Sequence, residues 1–436
     1  MQRLGHSLLF RILVTVGCFL LTSCSSDKRR SSSFDASTDG RTDGDLSDSD
    51  INSYPDGGVR PNLALVPCQW HEPMQIVENS ISAGTVSLKT RDSSLSVTYT
   101  SKRQNVPVVL QKDFDAEGVL GSESEIQRGF SSLDQPQSVT GLNDTQLFAF
   151  IGTYFSSKRV YTRYFNGSSW STSEVLGSDT GPALSIEAVS LKNGSFSLAW
   201  SSQVTSPQVQ KKKLFFATVS SDGSPKHGPT EVVLDGDLLA YTLAKGEHSA
   251  LVVSTVKADT SHVINIRTIS GSSGALSSTT TEVPRESSDP LTGELAAVRT
   301  SNTSTMVGWT ELANGSSPRA RLRNIHDEAD PADQDILRQL YTSASSTNHV
   351  AMVPLLSFVV VAFEGVQNGV KTLNLQTFYP FGNQLTDRTA LEIEATTEID
   401  DLSIQTSQDL TQLALAFTDA SAQATKINAI AAWCVE

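Results

Sequence analysis

Phe196-Ser-Leu-Ala-Trp200 alternates apolar with small or polar side chains and ends on a large aromatic, which is the period-two pattern of a β-strand. The unit recurs as Leu95-Ser-Val-Thr-Tyr99, Leu147-Phe-Ala-Phe-Ile151, Leu251-Val-Val253, Val307-Gly-Trp309, Val359-Val-Val-Ala-Phe363 and Leu413-Ala-Leu-Ala-Phe417. Successive ends at 99, 151, 200, 253, 309, 363 and 417 are 52, 49, 53, 56, 54 and 54 residues apart. A unit of about 50 residues cannot bury a core alone, so seven copies predict a repeat architecture.

A second column pairs an acid or amide with an aliphatic residue: Glu125-Ile126, Glu174-Val175, Glu231-Val232, Glu282-Val283, Gln339-Leu340 and Glu392-Ile393. One strand fits between the columns, as in Lys213-Leu-Phe-Phe-Ala-Thr218. A short strand such as Ile186-Glu-Ala-Val-Ser190 precedes each aromatic one. Asn166-Gly167, Asn193-Gly194 and Asp222-Gly223 supply turns. Four antiparallel strands per unit, repeated radially, give an all-β fold: a seven-bladed β-propeller over residues 61–436. Tyr99, Trp200, Trp309, Phe363 and Phe417 are expected to pack between blades, because a sugar-stacking platform would need them exposed at the rim.

The seventh unit lacks an outer strand, since only Lys426–Trp433 follows Phe417. One spare acid/amide–aliphatic pair exists, Gln75-Ile76, 23 residues before Tyr99. Residues 68–79 are therefore expected to complete the last blade and close the ring. Cys68 would begin that strand and Cys434 would end its antiparallel neighbour, so the two are expected to form a disulfide, as an oxidising compartment permits. Closing so long a loop would stabilise the domain by several kcal/mol in the chain-entropy model.

The chain begins with Arg3 and Arg11, an apolar run from Ile12 to Leu21 and small residues, the pattern of a secretory signal peptide over 1–23. Leu21-Thr22-Ser23-Cys24 resembles the lipobox of bacterial lipoproteins. The resemblance implies diacylglycerol on the Cys24 thiol, cleavage before it, and attachment to a lipid membrane. Ser25 after the cysteine implies the outer membrane. Residues 24–60 are rich in Ser, Asp and Gly with almost no apolar content, so they are expected to be a disordered tether. About 36 such residues reach roughly 30–36 Å. Asp43, Asp45, Asp48 and Asp50 do not match a calcium-loop spacing.

Among 436 residues, 33 are basic and 47 acidic, giving a net charge of −14. That balance speaks against nucleic acid, whose binders present basic surfaces. It suits small ligands, sugars or proteins. Gly-x-Ser-x-Gly, a Walker loop and His-Glu-x-x-His are all missing from the sequence. Asn166-Gly-Ser-Ser-Trp170 reads as a hairpin turn, and the His326-Asp-Glu run as a solvated loop.

Loops joining the second and third strands share a face with the connections between blades. Glu311, Glu364 and Asp419 fall there in blades five to seven, with Asp400 and Asp401 in the connection from blade six to seven. Lys102, Arg103, Lys158, Arg159, Lys211, Lys212, Lys213 and Lys257 fall there in blades one to four. The face thus divides into an acidic and a basic arc. Glu311, Glu364 and Asp419 are the candidate ligand-binding residues, and calcium is the one cofactor that they would suit.

Lipobox and repeats together resemble secreted bacterial lipoproteins that carry seven-bladed propellers. The resemblance singles out no functional family; the leading expectation is a lipid-anchored, non-enzymatic binding or scaffold module for a protein or glycan. The competing reading is a carbohydrate-active enzyme, a glycoside hydrolase or lyase, working through the acidic arc.

Overall fold

The computed structural model describes residues 68–434, apart from 71–73, 81–86, 92–93, 115–119, 207–208, 247–248, 328–337, 342, 356–357, 380–388, 394–396, 407–411 and 420–424. The segments expected to be a signal peptide (1–23) and a tether (24–60), with Cys24, lie outside the described residues.

The described residues form seven antiparallel sheets. Six of them run in sequence order from an inner to an outer strand, as in blade three: Ala183–Ser190, Phe196–Ser206, Val209–Val219 and Pro225–Val232. The inner strands of the seven blades are Ser87–Arg91, Ser132–Thr140, Ala183–Ser190, Asp237–Ala244, Leu291–Arg299, Ser346–Leu355 and Ile399–Thr406. Each lies against the inner strands of both neighbouring blades, and that of blade seven lies against that of blade one. The result is a closed seven-bladed β-propeller.

Closure occurs as expected. Cys68–Trp70 and Met74–Ser80 both pair with Thr425–Cys434, the third strand of blade seven, so the start of the domain completes its last sheet. The ladder sets Cys68 directly opposite Cys434.

The second strands explain the repeat. Each is sandwiched in its own sheet between an inner and a third strand, and both of its faces meet a neighbouring blade. Burial therefore runs almost unbroken through Phe358–Gln367 and Ser304–Ala313. Tyr99, Trp200, Trp309, Phe363 and Phe417 are at most 3% exposed, as the interblade reading requires. Seven apolar clusters fill the seven interfaces. That between blades two and three centres on Phe196, Leu198 and Trp200. That between blades seven and one is built on the small residues Ala414, Ala416 and Ala429 against Val97 and Tyr99. The outer strands of blades two, four, five and six are short, down to Thr281–Glu282 and Arg338–Gln339, which limits the exposed sheet edge there.

Candidate functional site

One irregularity repeats around the ring. In blades two to seven the ladder between inner and second strands breaks, at Asp134/Gln137, Ala183/Ser185, Leu238/Ala240, Leu291/Leu295, Asn348/Ala351 and Ile399/Asp401. All six bulges lie at the same end of the propeller, towards the hairpins that join second and third strands. Blade one pairs regularly from Ser87 to Arg91. A bulge inserts unpaired backbone and re-aims a side chain. Gln135, Gly293 and His349 occupy these bulges with φ of 45°, 99° and 53°.

The redirected residues border a channel of about 540 Å³ along the propeller axis, lined by inner strands of blades two to seven. Gln135, Leu184, Leu239, Glu294, His349 and Asp400 come from the six bulges. Its mouth is therefore uneven. Blades three and four contribute Leu184 and Leu239, whereas blades five to seven contribute a carboxylate, an imidazole and a second carboxylate.

Glu294 and His349 form the centre of the polar side. Glu294 Oε2 accepts from the His349 backbone N–H at 2.8 Å and from the Thr310 hydroxyl at 2.9 Å. Its Oε1 lies 3.2 Å from His349 Nδ1. On the other side of the ring, Nε2 is 3.7 Å from Glu364 Oε2. Glu294 is 30% exposed to the channel and Glu364 8%. Burial pushes the Glu364 carboxyl above its ordinary value, against the pull of His349 and Lys371.

Deeper in the channel, Glu187 Oε2 accepts from the Leu243 backbone N–H at 2.7 Å and the Thr242 hydroxyl at 2.9 Å. Burial pushes its carboxyl up to about 7, although these two bonds and Lys245 favour the charge. Lys245 also lines the channel, and burial lowers its ammonium pKa while Glu187 and Asp401 raise it. Burial raises the Tyr241 phenol as well, and its hydroxyl meets Ser185 Oγ at 2.9 Å.

The residues expected from sequence occupy a second layer. Glu311, Glu364 and Asp419 are equivalent: each sits on a second strand opposite a bulge, pairing with Leu291, Asn348 and Ile399. Glu364 reaches a channel-lining side chain, that of His349. Glu311 is 1% exposed and bound to Arg321 at 2.7 Å, Arg285 at 3.4 Å and Trp309 Nε1 at 3.2 Å. Asp419 is buried and accepts from the Glu398 backbone N–H at 3.1 Å.

Asp400 and Asp401, expected in a connection, belong to the inner strand of blade seven, because the bulge lets that strand begin at Ile399. Part of the basic arc is neutralised locally. Arg103 pairs with Glu123, Lys158 with Asp134 at 3.3 Å, and Lys213 with Glu231 at 2.7 Å. Lys212 lines the channel. Asp327, read as solvated, instead holds the buried Arg299 at 2.5 Å. Among the described residues no three His, Cys, Asp or Glu side chains come together to hold a metal ion.

Glu294, His349 and Glu187 were not singled out in the sequence. Nothing in the local pattern marks a bulge at His349; a glycine inside a strand, Gly293, is the one local signal of this kind. The fold and its ring of bulges define a propeller with a polar, asymmetric channel mouth. No protein-family model matches the chain, and no curated protein matches it. Solved structures match its fold. The polysaccharide lyase Uly1 aligns over 84% of this chain and 100% of its own, at 7% identity and a TM-score of 0.52. An ulvan lyase bound to -[GlcA(1-4)Rha3S]- aligns over 82% and 95%, at 10% identity and 0.53. At such identities the likeness is one of fold.

Proposed function

We propose that this chain is an exported, lipid-anchored envelope protein whose propeller binds a glycan at the channel mouth. The observation that carries the reading is the set of six bulges, which turns Glu294, His349 and Asp400 towards the mouth opposite Leu184 and Leu239. A pyranose offers hydroxyls to one side and a C–H face to the other, and such a divided rim suits it. The charge narrows the class. Even leaving aside Glu187, whose carboxyl is raised to about 7, Glu294, Asp400 and Asp401 outnumber Lys212 and Lys245 along the channel. They would repel a uronate or a sulfated sugar, so a neutral or amino-sugar chain fits better.

The test is equilibrium binding of the full chain to cellohexaose, chitohexaose, a chitosan hexamer and a polyuronate. We expect a neutral or cationic hexamer to bind, and Glu294→Gln with His349→Ala to weaken it at least tenfold. Preference for the polyuronate, or no binding to any of the four, would overturn the reading. A second reading, hydrolysis or elimination at the same site, draws on Glu364. Its raised carboxyl holds a proton more firmly than an ordinary glutamate and so suits an acid donor. That reading requires a turnover that Glu364→Gln abolishes.

A further inference from the structure

The hairpin between the second and third strands of blade two, Gln146–Tyr154 and Ser157–Phe165, turns on Phe155 and Ser156 with φ of 46° and 63°. Positive φ at both central residues is the type I′ turn. The corresponding hairpins of blades one, five and six make it with Gln104-Asn105, Asn314-Gly315 and Asn368-Gly369, all at positive φ. Asn and Gly suit that backbone, whereas a bulky Phe at positive φ is strained. Turn formation therefore does not account for Phe155.

The strained residue is also the most exposed large apolar side chain among the described residues, at 85%, and Tyr154 beside it is 51% exposed. Their rings meet edge to face at 4.3 Å. Phe130 supports them from below. Its ring lies 6.2 Å from that of Tyr154, 5.3 Å from that of Phe150 and 4.6 Å from that of Tyr161. Gly152 makes this stack fit, because a Cβ there would lie 2.7 Å from the Phe130 ring. The exposed pair thus caps an aromatic column rising from the blade core.

This hairpin stands at the same end of the propeller as the channel mouth. Lys158, opposite Thr153 in the hairpin ladder, donates to Asp134 at 3.3 Å. Asp134 adjoins Gln135, which lines the channel.

We propose that Tyr154 and Phe155 form a stacking platform for a pyranose ring, a second subsite for the glycan whose other part enters the mouth. This rests on the glycan reading above. Two exposed rings and a phenol hydroxyl match a ligand with an apolar face and a hydroxyl rim. A protein hot spot would instead sit within a water-excluding surround, and this hairpin tip is flanked by Ser156 and Ser157.

The deciding variant is Phe155→Asn with Ser156→Gly in the full chain, which installs the two-residue turn that blade six already uses. It removes the strain, so it should melt at or above the wild-type temperature. Binding is measured for cellohexaose, chitohexaose and a chitosan hexamer, each beside its own disaccharide. Hexamer affinity should fall about tenfold, the size of one good aromatic contact, with disaccharide affinity unchanged. Tyr154→Ala should act in the same direction. Unchanged hexamer affinity in the variant overturns the platform and leaves the mouth reading standing, as does an equal loss for hexamer and disaccharide. Failure of the wild-type chain to bind any of these sugars overturns both.

Discussion

Two carboxylates show how single residues are handled in opposite ways. Burial alone would raise the Glu311 carboxyl, but hydrogen bonds from Arg321 and Trp309 outweigh it and hold the group below its ordinary 4.5. Its stabilising effect is therefore present above the unfolded value and lost as pH falls through the lower folded one. Glu311→Gln strands Arg285 and Arg321, which are 7% and 18% exposed at their side chains. Denaturant unfolding near neutral pH should register a loss of about 3–5 kcal/mol; a change within 0.5 kcal/mol would refute the buried pair. Glu187 has the opposite sign. Its carboxyl is raised from 4.5 to about 7, so its stabilisation is present below 4.5 and lost as pH rises through 7. Melts of Glu187→Gln and wild type between pH 5 and 8 should show the variant gaining relative to wild type as pH rises. A constant difference would contradict that assignment.

Among the elements, inner strands are joined by side chains as well as by packing. Gln135 Oε1 accepts from the Ile186 N–H at 3.0 Å, linking blade two to three. Glu187 and Glu294 make the same kind of link from three to four and from five to six. The seam between blades seven and one depends on the first strands, which pair with Thr425–Cys434. Residues directly opposite in an antiparallel ladder have Cα atoms about 4.5–5.5 Å apart, within the range that a disulfide spans. Peptide mapping without reductant is expected to recover Cys68 joined to Cys434. Replacing both with Ser should cost about 2–5 kcal/mol. Free thiols at both positions in protein from an oxidising compartment would exclude the bond.

At the scale of the whole molecule, seven apolar interfaces make a rigid ring that fixes the bulges around one opening. A rigid rim reduces the ordering cost of binding. The anchor would add location, and it makes a prediction of its own. Cys24→Ser should move the protein from the membrane pellet to the soluble fraction; continued pelleting of that variant would remove the lipid from the account. A glycan that binds the ring should also stabilise it, by about 2.7 kcal/mol at one hundred times its Kd, and so raise its melting temperature. Absence of a shift with a saturating sugar that binds by another method would place its contacts outside the folded ring.

The sequence alone determined the ring. Strands such as Phe196–Trp200 and Val359–Phe363 must bury both faces against neighbouring blades, and that demand writes a repeat of about 50 residues that is readable without coordinates. It likewise placed Cys68 and Gln75 in the last blade, because a missing strand and a spare copy of its pattern are both local facts. The acidic residues of blades five to seven were legible as a group, since Glu311, Glu364 and Asp419 hold equivalent positions after the aromatic column. Their roles were not legible. Only the tertiary structure decided that Glu311 is neutralised by Arg285, from the connection between blades four and five, and by Arg321, from the third strand of its own blade. It also decided that His349 stands between Glu294 and Glu364. The physical reason lies in the bulges: an inserted residue shifts the two-residue alternation and turns a side chain to a face that the pattern does not predict. The channel mouth is built from those residues.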